Sequence, residues 1–168
     1  DRKFKSVNRN KNIQTMQRLI VYLLLTLLAP SSMLAAELGD ALAPLLEGEF
    51  ALQQGDRGRA AKAYLHAAAT SDDPSVAARA VQVALAARDI ELTRVGLERW
   101  AELEKDSVML NAGWLRWALL KGDADAARAP MIALLERDDG WRLVAPALVT
   151  SPDRALPGQL LGELLDTD

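Results

Sequence analysis

The chain has 168 residues, of which half are apolar, 26% are charged and eight are aromatic. It has no cysteine and a single histidine, His66. Disulfides, thiolate catalysis, Cys-based zinc sites and a cysteine-borne lipid anchor are therefore excluded, and a Ser-His-Asp triad or His-rich metal site has little to draw on. The net charge of −3 is unevenly placed: Arg2, Lys3, Lys5, Arg9, Lys11 and Arg18 stand against Asp1 at the head, whereas from Glu37 onward 14 Lys/Arg meet 22 Asp/Glu, a net of −8. An acidic body argues against nucleic-acid binding, which needs a basic footprint.

Residues 1–15 are polar, lack an initiator Met and read as an upstream extension before Met16. Residues 16–36 have the three parts of an export signal in order: a short positive region ending at Arg18, an apolar run Leu19–Ala29, and Pro30-Ser31-Ser32 followed by small Ala35 and Ala36. The run is shorter than the roughly 20 residues a bilayer-spanning helix needs, which favours a cleaved signal peptide and a periplasmic or exported body. The alternative leaves the segment uncleaved as an inner-membrane anchor. In either case Pro30-Ser31-Ser32 is expected to break a helix.

From residue 37 the chain repeats itself. QQGDRGRAAKAYLHAA (53–68), AARDIELTRVGLERWA (86–101) and LKGDADAARAPMIALL (120–135) start 33 and 34 residues apart. A period of this size marks an array of helical hairpins. Gly55 and Gly122 can take the left-handed conformation that closes a helix, and Asp56 and Asp123 can cap the next one. Arg88-Asp89 keeps the cap and loses the glycine, so a slightly strained turn is expected there. Asp73-Pro74, the KDSV run (105–108) and the RDDGW run (137–141) are expected to start the intervening helices. The predicted helices cover 40–54, 57–70, 74–87, 90–104, 107–121, 124–136, 140–149 and 154–165. Long β-branched alternating runs are missing, and Ala, Leu and charged residues lose little freedom in helices. The predicted fold is all-α, a solenoid of about four stacked hairpins.

Three stripes lie at matching offsets in the second helices: Ala60, Tyr64, Ala67; Thr93, Leu97, Trp100; and Ala127, Met131, Leu134. No hairpin can bury such a stripe alone, so stacking is required. These residues resemble the tetratricopeptide repeat family, whose 34-residue unit has a small residue in its first helix, a turn glycine, then Ala, aromatic and Ala in its second. Gly48, Gly55, Ala60, Tyr64 and Ala67 carry the likeness in the first unit, and Leu115, Ala118, Gly122 and Ala127 in the third. The second unit fits by spacing, and the fourth, with a Ser151-Pro152-Asp153 turn, only loosely. No unit has the family's closing Pro, and Pro130 falls inside a helix, where a kink is expected. The opening EGEFALQQGDRGRAAKAYLHAAA also looks like exported repeat proteins of Gram-negative bacteria, some of which carry a periplasmic protease and cell-wall hydrolases. Those arrays are longer, and the ending LLGELLDTD fits the N-terminal part of such an array.

No nucleotide loop, metal-ligand spacing or nucleophile motif is present, so no catalytic role, cofactor or metal is expected. The resemblance implies partner binding in a groove lined by the first helices, where Glu49, Gln53, Gln82 and Arg116 would face a protein or peptide. Glu98 and Arg99 would lie on the outer face. Trp114 and Trp117 read as core packing rather than as a binding anchor, and His66 as an ordinary helix residue. The expected function is an exported scaffold or adaptor of the bacterial envelope. The alternatives are a self-associating structural subunit, or the repeat domain of an enzyme whose catalytic part lies elsewhere.

Overall fold

The structure, a computed structural model, describes residues 31–165, with side chains from 41 to 164. The readings of residues 1–15 and of Met16–Pro30 fall outside the described residues. The chain divides into two compact units, Asp1–Leu38 and Gly39–Asp168, and the second carries the helical array.

Eight helices follow in order: α1 (Ser31–Gln53), α2 (Arg57–Thr70), α3 (Pro74–Ala87), α4 (Ile90–Leu103), α5 (Val108–Lys121), α6 (Ala124–Leu135), α7 (Trp141–Val149) and α8 (Leu156–Leu165). Among the described residues there is no strand. The expected boundaries hold to within two residues except at the start of α1. There the helix starts at Ser31, nine residues before the expected position, and the expected break at Pro30 falls outside the described residues.

The three hairpin turns share one hydrogen-bond pattern. Asp56 N–H donates to Ala51 O at 2.9 Å, Asp89 N–H to Ala84 O at 3.1 Å, and Asp123 N–H to Ala118 O at 2.9 Å. These six-to-one bonds need a left-handed residue just before the Asp. Gly55 (φ 77°) and Gly122 (φ 75°) supply it in two turns, and Arg88 (φ 56°, ψ 31°) supplies it in the third. Each Asp then accepts from a backbone N–H of the next helix: Asp56 from Arg59 at 3.0 Å, Asp89 from Leu92 at 2.9 Å, Asp123 from Ala126 at 3.0 Å. Side-chain sterics put about 1–2 kcal/mol on a non-glycine residue in this conformation, so the Arg88 turn is strained as its sequence implied.

Two other starts differ from expectation. Ser107 precedes α5 without making a side-chain capping bond, and Gly140, which has no side chain to cap with, precedes α7. Asp73 does cap α3, accepting from Ser75 N–H at 2.8 Å beside Pro74 at the first helical position. Proline at that position lacks only an N–H that would have no helical partner. Pro130 does not end α6, which runs on through it to Leu135.

All three stripes are buried. Ala60, Ala67, Leu97, Ala127, Met131 and Leu134 have no measurable exposure. Thr93, the polar member, donates its hydroxyl to Asp89 O at 2.6 Å, which removes the penalty of burying it. The core falls into two clusters. One joins α1 to α4 and takes in Leu110, and the other joins α5 to α8. Trp117 packs against both. From α2 to α7 successive helices pack on one another in order, α8 packs on α6, and α5 approaches α4 so closely that a β-carbon on Gly113 would lie 2.7 Å from Leu97 Cδ2. The result is an all-helical solenoid of stacked hairpins.

Candidate functional site

The first helices α3, α5 and α7 bring their C-terminal ends together around a cleft of about 240 Å³. Arg116, on the exposed side of α5, lines it. Arg88 joins it from the α3–α4 turn, while Leu85, Leu119, Leu120 and Ala147 form an apolar wall. Among the described residues no carboxylate lines the cleft, and neither guanidinium has a hydrogen-bond or ion-pair partner. In a body of net charge −8 this is a local concentration of unmatched positive charge.

Several of the helix carbonyls at this end already have donors. Arg88 and Asp89 N–H serve Leu85 O and Ala84 O, and Gly122 and Asp123 N–H serve Leu119 O and Ala118 O. Thr150 donates its hydroxyl to Pro146 O at 2.8 Å, and Ser151 donates to Asp153 O at 2.9 Å. The protons of both hydroxyls are thus engaged, and the two guanidinium groups are the donors left for a ligand.

The other sequence-derived candidates do not converge on this cleft. Gln53 on α1 and Gln82 on α3 are exposed, with no side-chain hydrogen bond among the described residues. Glu49 has a different task. Its carboxylate accepts the Tyr64 hydroxyl proton and lies 3.7 Å from Arg79, tying α1, α2 and α3 together. Burial, reinforced by the bond to Glu49, pushes the Tyr64 hydroxyl above its ordinary pKa of 10.0. Arg79 also stands over the Tyr64 ring, 5.4 Å from its centroid. Glu49 is therefore a structural tie at this junction.

On the opposite side, Arg99 is not the plain surface charge that its position implied. It donates to Ala68 O at 3.1 Å, Ser71 O at 3.0 Å and Asp72 at 3.1 Å, fastening α4 to the end of α2 and the loop after it. Asp72 is thereby an ion-pair partner, and the capping belongs to Asp73 alone. Glu98 conforms better, being exposed and paired with Arg94 on the same helix.

Trp114 and Trp117 pack half-buried against the core, edge to face with centroids 5.4 Å apart. Trp117 donates its ring N–H to Ile90 O at 2.9 Å. Their remaining surface lines a shallow recess of about 460 Å³ with Asn111, Ala129, Pro130 and Ala133. Packing is thus their main role, as the sequence indicated. His66 is exposed on α2. Among the described residues no group of three or more His, Cys, Asp or Glu is placed to hold a metal ion, and no helix is long and apolar enough to cross a membrane.

Sequence reasoning found Arg116 and missed Arg88. The signal was present in the repeat itself, because Arg88 stands where the equivalent turns have glycine. Comparison with family models, curated proteins and solved structures finds no match for this chain.

Proposed function

We propose that this chain is a non-enzymatic scaffold of tetratricopeptide type, exported to the bacterial envelope, which holds another protein along the face formed by its first helices. The observation that carries the reading is the cleft at the ends of α3, α5 and α7, open, partly apolar and lined by the unpaired Arg116. A stacked array presents such a face because each hairpin buries its second-helix stripe and leaves one side of its first helix free. A polypeptide offers both donors and acceptors, and the exposed Gln82 of α3 and the cleft-lining Arg116 of α5 supply complements to them. Export is supported by the basic residues up to Arg18, the apolar run Leu19–Ala29 and the small residues Ala35 and Ala36.

The experiment is site-specific photocrosslinking in envelope-bearing cells. A photoreactive residue at Gln82 is expected to give a discrete adduct, whereas one at the exposed His66 of α2 gives none. Adducts from His66 alone would move the partner off the proposed face.

A second reading, self-association, is favoured by one observation. Leu42, Leu46 and Phe50 recur every four residues along α1 and are 55%, 51% and 59% exposed. Sedimentation of the protein against Leu46→Glu tests it. A concentration-dependent larger species that the substitution abolishes supports this reading, and a monomer at all concentrations contradicts it.

A further inference from the structure

The geometry points to a carboxylate-binding subsite made by Arg88 and Arg116, whose ligand is a monocarboxylate on a short branched apolar stem. It deepens the proposed function by naming what the first-helix face would grip.

Two independent observations meet at Arg88. It lines the cleft with Arg116, and it is the non-glycine residue with positive φ among the described residues. Glycine at the equivalent Gly55 and Gly122 makes the same turn without strain, so the turn itself does not call for arginine. A strained residue that lines a cleft points to a task for its side chain.

Charge limits what the cleft can hold. The C-terminal ends of α3, α5 and α7 converge there, and a helix end carries about −0.5 elementary charge. Those ends oppose each added negative charge, so the two guanidinium groups favour a monoanion over a dianionic phosphate. The guanidinium fork also matches the two oxygens of a carboxylate. The Leu85, Leu119, Leu120 and Ala147 wall then needs an apolar neighbour to that charge, since bare hydrated anions gain nothing from it. A volume of about 240 Å³ holds one branched aliphatic group rather than a long chain.

The test uses the full chain and three small probes: 4-methylpentanoate, its uncharged amide, and inorganic phosphate. Amide and methyl resonances of Ala147, Leu119 and Thr150 are followed during titration. The expected result is saturable shifts with the carboxylate in the millimolar range, at least tenfold weaker with the amide, and no displacement by equimolar phosphate. Arg116→Gln and Arg88→Gly should each weaken the carboxylate at least tenfold, and Arg88→Gly should do so without lowering the melting temperature. That combination separates a ligand-binding role from a structural one.

Equal response to the amide, displacement by equimolar phosphate, or full binding by either variant would overturn the assignment. Binding of 4-methylpentanoate with no protein crosslinked through Gln82 would leave this subsite standing and remove the proposed function. Crosslinking through Gln82 with no response to the carboxylate would do the reverse.

Discussion

Tyr64 lies over Gly48 so closely that a β-carbon on Gly48 would fall 2.8 Å from ring atoms Cδ2 and Cε2. The ring is 2% exposed and its hydroxyl is anchored to Glu49, so it has little room to retreat. Gly48→Ala should therefore destabilise the array by about 1–3 kcal/mol through overpacking, although alanine is the better helix former. Thermal melting checks this, and an unchanged or raised midpoint would show that α1 and α2 pack less tightly than described.

The turns give a pair of opposite signs. Gly122→Ala should lower stability by about 1–2 kcal/mol, because φ is 75° there and a β-carbon is strained whatever the space. Arg88→Gly should raise it by about 1 kcal/mol, partly offset by the freedom glycine gives the unfolded chain. Chemical denaturation of the two variants, with equal dependence on denaturant, reads both effects.

Arg99 offers a sharper test of how the hairpins are fastened. Its three acceptors on Ala68, Ser71 and Asp72 lie 27 to 31 residues away in sequence. Lysine carries the charge but not the planar fork, so Arg99→Lys should cost about 1–3 kcal/mol. Substituting Arg94, whose partners Glu91 and Glu98 are exposed neighbours on its own helix, should leave the melting midpoint nearly unchanged.

Acid should release the caps. Hydrogen bonds from Ser75 hold Asp73 below the ordinary 3.8, and those from Ala126 N–H and the Lys121 ammonium do the same for Asp123. A depressed folded-state pKa means the stabilisation is complete above the unfolded value and disappears as pH falls through the folded one. The melting midpoint of the protein should exceed that of Asp73→Ala at neutral pH, and the gap should close below about pH 4. A gap that persists in strong acid would mean that the Asp73 carboxylate is not what caps α3.

Much of the fold is legible in local chemistry. The Gly-Asp pairs, the Asp73-Pro74 start and the four-and-three stripes locate helices to within two residues, because turn geometry and capping are decided by neighbours in sequence. Ser107 shows the limit: its residue type permits a cap, but the bond depends on how the loop settles. The site was less readable. Arg116 could be placed on a first helix, yet its meeting with Arg88, Leu85 and Ala147 joins residues up to 62 positions apart and exists only after stacking. The bonds of Glu49, expected in the groove, and of Arg99, expected on the outer face, were unreadable for the same reason, since their partners Tyr64 and Ala68 lie on another helix.

The central claim, that the face of the first helices carries the partner, is tested most directly by two matched charge reversals. Arg116→Glu alters the cleft, and Lys62→Glu makes the same change of charge on an exposed position of α2. Crosslinked capture from envelope extract is compared for both variants and the unaltered protein, beside their melting curves. The species captured by the unaltered protein should be lost with Arg116→Glu and retained with Lys62→Glu, at equal melting midpoints. Equal retention, or equal loss, by the two variants would contradict the account.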